Sequence, residues 1–176
     1  KTDSWLESDI AKLRNAFFDY NNEGGFPEVV LTQNPLQKAR ILQTYFDTML
    51  LRDLVEHYGL SNIEVLRYYL KRIMANLTKP TSIRAIHNDI KSRGLKVSKD
   101  DLYDWASHAC DIFMFIRIAN YSKSLQKIEN SQPKYYCIDN GLRDAVLLPQ
   151  SDDDGKKLEN TVFLQLYRRR TPIDQI

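Results

Sequence analysis

The sequence predicts a mainly helical α+β chain, and three observations carry that expectation. Through most of the first 110 positions apolar residues recur at three- and four-residue spacing, the period of a helix with one buried face. The texture then changes: residues 113–119 (FMFIRIA) and 134–138 (KYYCI) are aromatic and β-branched, the composition of half-buried strands. Beyond them the helical spacing returns in Leu158, Val162, Phe163, Leu166 and Tyr167.

The elements follow in order. Leu6, Ile10, Leu13 and Phe17 mark the inward face of a first helix over residues 4–20, with Asp3 or Ser4 as cap. Residues 21–25 (NNEGG) end it, because Asn and Gly accept the left-handed backbone that terminates helices. Phe26-Pro27 reads as extended, since proline biases the residue before it away from helix. A long helix is expected over residues 35–58, opened by Pro35 and closed by Gly59, with an apolar stripe broad enough for a central position. Residues 61–64 (SNIE) read as a capping box opening the next helix, which residues 79–80 (KP) break. Thr81 or Ser82 starts a shorter helix with Ile83, Ile86 and Ile90 inward and Gly94 at its close. Residues 98–101 (SKDD) read as a second box before Leu102, Trp105, Ala106 and Ala109. Two strands then flank a polar linker at residues 121–133. The order is that of a winged helix, and residues 82–110 have the dimensions of a helix-turn-helix. Residues 139–141 (DNG) read as a turn and residues 152–155 (DDDG) as a polar loop.

The totals bound the function. The chain has 176 residues, 43% hydrophobic and 27% charged, which is ordinary for a globular protein with a real core. No apolar run reaches the roughly 20 residues that span a bilayer, and no signal-peptide pattern opens the chain, so a cytoplasmic location without membrane contact is expected. The chain starts at Lys1 and stops at Ile176, and reads as a piece of a longer protein. Residues 1–61 carry 6 Lys/Arg against 9 Asp/Glu and residues 62–176 carry 19 against 14, placing the positive balance in the second part. Cys110 and Cys137 have neither CxxC nor His at ligand spacing, the pattern of reduced, mostly buried thiols. His57, His87 and His108 are scattered, with no nucleophile pattern beside them.

Five segments in fixed order carry a resemblance: GGFPE (residues 24–28), YFDTMLLRDLVEHYG (45–59), YSKSLQK (121–127), YYCIDNGL (135–142) and GKKLENTVFLQL (155–166). Together they resemble the domain of unknown function that lies C-terminal to the ATPase core in a large prokaryotic group of AAA-type ATP-binding proteins. That resemblance implies three parts: a helical linker region (1–60), a winged-helix domain (61–139) and the start of a restriction-endonuclease-like segment (140–176). It implies that ATP and Mg²⁺ belong to an absent core, since no GxxxxGK[ST] loop occurs in the chain. It matches Glu159 to the helical acidic residue of the nuclease-like fold, a remnant of a catalytic site. One carboxylate is too few for a metal, and Asp152, Asp153 and Asp154 read as a solvated loop, so no metal is expected in the chain.

Two function classes remain at the level of sequence. One is a non-catalytic protein-contact module that couples the ATPase core of the same protein, or another subunit, to a macromolecular partner. In it Arg52 and Asp53 on the long helix either touch the core or bridge each other. The other is contact with DNA phosphates through the second helix and the wing, by Arg84, Lys91, Arg93, Lys96, Lys123 and Lys127, with Tyr121 for stacking. The third helix would not lead that contact, because Asp100, Asp101 and Asp104 repel a duplex.

Overall fold

The computed structural model describes residues 7–124, 126, 131–147 and 154–169. It is mainly helical with one two-stranded sheet. The helices are α1 (Glu7–Glu23), α2 (Pro27–Leu31), α3 (Pro35–Thr48), α4 (Ile63–Ala75), α5 (Ile83–Ser92) and α6 (Lys99–Asp111). Strands β1 (Phe115–Ile118) and β2 (Lys134–Cys137) follow, then α7 (Asn140–Val146) and α8 (Asp154–Arg168). Asp3, Ser4, Leu6, Lys127, Asp152 and Asp153 lie outside the described residues, as do residues 125 and 128–130 of the expected linker between the strands.

The long central helix forms, with a feature its apolar stripe does not announce. Asn34 caps α3 by accepting the Leu36 and Gln37 N–H groups at 2.9 and 3.2 Å, and Pro35 occupies the first turn. From Met49 to Glu56 the helix widens into π turns, so that the His57 N–H reaches back to the Arg52 carbonyl. Stretches of this kind concentrate at functional sites because the wider turn re-aims side chains. Leu50 and Leu54 are fully buried in it.

Three expectations are corrected locally. The SNIE box does not form: Asn62 adopts φ 62°, makes no side-chain cap, and instead donates to the Lys96 carbonyl at 3.0 Å. Pro27 follows an extended Phe26 but opens the short helix α2. Residues 139–141 are no simple turn, because the Asp139 side chain accepts the Leu142 N–H and starts α7. The second box does form, with Ser98 and Asp101 each accepting the other's backbone N–H at 3.0 and 3.1 Å.

One buried apolar cluster runs from Val29 through Leu54, Leu70, Ile90 and Trp105 to Phe115, Tyr135 and Leu142. It therefore draws on residues from both sides of positions 60 and 139. The strands pair antiparallel, Phe115 opposite Cys137 and Arg117 opposite Tyr135. Because side chains alternate between faces, Phe115, Tyr135 and Cys137 join the main core. Ile116 and Tyr136 face the other way and pack on Leu164 of α8, where the Phe163 ring stacks on Tyr136 at 3.7 Å.

The first helix is the largest departure. Its stripe was expected to face inward, yet none of its 17 residues is buried. Ile10, Leu13, Phe17 and Phe18 are 41–67% exposed. Contact with the body is made from Tyr20 onward, where α1 meets α7 and α8. The preceding dozen residues project as a helix of roughly 18 Å at 1.5 Å per residue.

Candidate functional site

Four of the five family-like segments meet, and two of the meetings are structural in kind. In the first, Asp139 is 7% exposed and accepts the Gly25 N–H at 2.7 Å and the Leu142 N–H at 3.0 Å. Gly24, at φ 85°, lies so close that a Cβ there would sit 2.0 Å from the Asp139 Oδ1. A Cβ on Gly141 would sit 2.0 Å from the Glu23 carbonyl oxygen. The glycines of GGFPE and DNGL are thus required by close approach of backbone to backbone and to carboxylate. Burial pushes the Asp139 carboxyl above the ordinary carboxylate value, against the pull of the backbone N–H groups it accepts.

The second meeting ties the GKKLENT helix to the same corner. Asn160, fully buried, brackets Cys137 by accepting its N–H at 2.9 Å and donating to its carbonyl at 3.0 Å, as a neighbouring strand would. Asn140 donates to the Asn21 and Lys157 carbonyls and to the Thr161 hydroxyl at 2.9–3.0 Å. Arg143, 2% exposed, reaches the Met74 carbonyl at 3.3 Å and Asp144 at 2.6 Å. Lys157 adds Asn22 at 2.6 Å and Asp144 at 3.4 Å. Sequence reading missed this network because each member looks like a surface polar residue; the Asn-rich ends of α1 and the LEN run were its signal.

A third convergence is open to a ligand or partner. A cavity of about 470 Å³ lies against the π segment, lined mostly by apolar atoms of Phe26, Tyr45, Met49, Ile112 and Ile138. Arg52 and Asp53 stand on its rim, where they bond each other at 2.7 and 3.3 Å. Phe113, with φ 59° and 62% exposure, lines it as well, a backbone state that an L-residue adopts at a cost.

Glu159 does not stand in an acidic cluster. Its Oε1 accepts from the Lys134 ammonium and the Tyr136 hydroxyl, both at 3.0 Å, on the surface beside β2. Asp154 sits in the first turn of α8, 3.6 Å from Lys157. Among the described residues no group of three or more His, Cys, Asp or Glu side chains is placed to hold a metal ion. Tyr58 stacks on His108 with ring centroids 3.7 Å apart, and His57 meets Tyr58 edge-on at 4.7 Å. His87 lies 3.2 Å from the Val97 carbonyl.

The basic residues divide between the two ends of α5. Arg93 is held by Asp89 at 3.6 Å and lies over the Tyr68 ring at 4.6 Å. Lys91 and Lys96 are exposed near it. Arg84 stands at the other end, about 10 Å from Lys91 along the helix by its rise. There it lines a cleft of about 240 Å³ with Arg117 and Tyr103, two residues the sequence did not single out. Lys123 and Tyr121 are exposed beyond β1. Both cysteines are free thiols, and burial pushes Cys110 up to about 11 and Cys137 up to about 12.

Fold and site together define a helical α+β domain bolted by a buried polar corner and open at a projecting helix, an apolar cavity and an arginine cleft. The chain belongs to the family described as Domain of unknown function (DUF8612), whose model matches residues 4–153. It is 32% identical over 164 residues to the uncharacterized protein MJ1544 of Methanocaldococcus jannaschii, covering 93% of the chain and 35% of that relative. It is 27% identical over 169 residues to an uncharacterized protein of Haemophilus influenzae, covering 96% of the chain and 42% of the relative. The chain therefore spans about a third to two fifths of the length of these curated relatives. No solved structure matches it. No described helix is long and apolar enough to cross a membrane.

Proposed function

We propose that this chain is a non-catalytic contact module that docks onto another part of a longer cytoplasmic polypeptide, an AAA-type ATPase core by the resemblance of its motifs, and passes the core's movement to a partner. The observation that carries the reading is α1. A helix of a dozen residues without tertiary support is marginal in water, because nucleation costs more than a few turns return. Here those turns also expose Ile10, Leu13, Phe17 and Phe18 on a helix with no buried residue. Such a helix is accounted for when a partner covers its stripe. The winged-helix reading of α4, α5, α6, β1 and β2 fits the same role, since its third helix presents Asp100, Asp101 and Asp104 and suits protein contact better than phosphate.

The size of the relatives supplies an occupant: more than half of each lies outside the matched region. In a chimaera, the chain replaces the matched third of the Methanocaldococcus relative, with protease sites at its junctions. After cleavage the parts should co-elute, and Leu13→Glu with Phe17→Glu should release the chain. Separation of the unsubstituted parts, or co-elution indifferent to the two glutamates, overturns the reading.

A further inference from the structure

The cleft between α5, α6 and the hairpin goes beyond the docking reading and does not depend on it. Its floor and walls come from four segments: residues 81–84 at the start of α5, Tyr103 on α6, Arg117 on β1, and residues 131–133 with Tyr135 on the β2 side. Register holds Arg117 opposite Tyr135, whose hydroxyl it hydrogen-bonds. Among the described residues neither the Arg84 nor the Arg117 guanidinium is ion-paired, although Arg52, Arg67, Arg72, Arg93 and Arg143 all are. Two unpaired arginines facing one cleft of about 240 Å³ form an anion-binding arrangement, since each presents a planar fork of donors that fits a phosphate.

Shape and charge narrow the ligand. The volume admits one phosphate with its sugar, and the Tyr103 ring at the cleft edge is 57% exposed, free to stack on a base. Asp100 and Asp104 lie on α6 three residues before and one after Tyr103, both exposed, and they repel a second row of phosphates. We propose that this cleft binds a backbone phosphate of a single nucleic-acid strand, with Arg84 and Arg117 on the phosphate and Tyr103 against the adjoining base. A duplex, with phosphates on both sides of its groove, meets the carboxylates of α6.

The test is fluorescence anisotropy of a labelled thymidine oligonucleotide of about 20 nucleotides with the 176-residue chain, titrated at about 20 to 200 mM KCl. The expected result is binding that weakens with salt at a log–log slope of about −0.7 per phosphate held. Arg84→Ala and Arg117→Ala should each weaken binding about 5- to 10-fold at low salt and flatten the slope by about 0.7. Arg117→Lys should keep the slope, and Tyr103→Ala should weaken binding with the slope unchanged. Circular dichroism checks that each variant is folded, and Arg84 supports no buried group, so its variant remains decisive if Arg117→Ala unfolds. Displacement of the strand by inorganic phosphate, beyond that by KCl of equal ionic strength, would assign the cleft to a free anion and overturn the strand. Equal binding of a duplex, displacement by an oligoglutamate, unaltered binding by both arginine variants, or no binding at the lowest salt overturns the proposal.

Discussion

Replacing Gly24 by Ala tests the corner that joins three of the family-like segments. A Cβ at this position would stand 2.0 Å from Asp139 Oδ1 and 2.4 Å from its Cγ, and the backbone is held at φ 85°. The left-handed conformation alone costs an L-residue about 1–2 kcal/mol. Displacing the carboxylate also strips the Gly25 and Leu142 N–H groups of a charged acceptor, each bond worth about 1.5–3 kcal/mol. Allowing for relaxation, Gly24→Ala should cost about 3–5 kcal/mol, and Asp139→Ala about 2–4 kcal/mol from its lost bonds. The two costs share the same carboxylate, so they should not add: the double variant should cost less than the sum by about 2–3 kcal/mol. Urea unfolding followed by circular dichroism measures all four corners of the cycle. A Gly24→Ala cost below about 1 kcal/mol, or strictly additive costs, refutes the reasoning.

Asn160→Ala should cost about 2–4 kcal/mol, because it orphans the buried N–H and carbonyl of Cys137 together with Asn140; the same unfolding assay reads it, and Asn160→Asp should not rescue the lost donor. Asp139 has a folded-state value raised by burial, so the stability it contributes is complete below the ordinary carboxylate value of 3.8 and is lost as pH rises through the raised value. The deficit of Asp139→Asn relative to the parent chain should therefore shrink as pH rises through that window, and a deficit that grows would reverse the assignment. With thiols pushed to about 11 and about 12, Cys110 and Cys137 should alkylate slowly at about pH 8 in the folded chain and quickly in urea. Rapid folded-state labelling of Cys137 would contradict its complete burial.

Local order was legible wherever one residue type meets a purely local need. Ser98 and Asp101 close their box, and Ser82 caps α5, because both bonds lie within one turn of chain. The strand pair followed from β-branched and aromatic composition, and the central helix from the breadth of its stripe. The failures share a cause. Ser61 lost its box because Asn62 found the Lys96 carbonyl 34 residues away. Residues 139–141 read as a turn, yet Asp139 serves Gly25, 114 residues earlier. Periodicity placed the stripe of α1 on one face but had no means of saying whether anything covers it.

The sequence by itself determined the helical α+β class, most element positions, the charge imbalance and the run of carboxylates on α6. Those follow from propensity, period and composition, which act between near neighbours along the chain. Only the tertiary structure decided that Gly24, Asp139 and Asn160 form one bolted corner, that Glu159 answers to Lys134 and Tyr136, and that Arg84 and Arg117 line one cleft. These pairings join residues 23 to 115 positions apart and depend on how whole elements pack. Hydrogen bonds and close approaches are short-ranged in space and indifferent to separation in sequence, so no local pattern announces them.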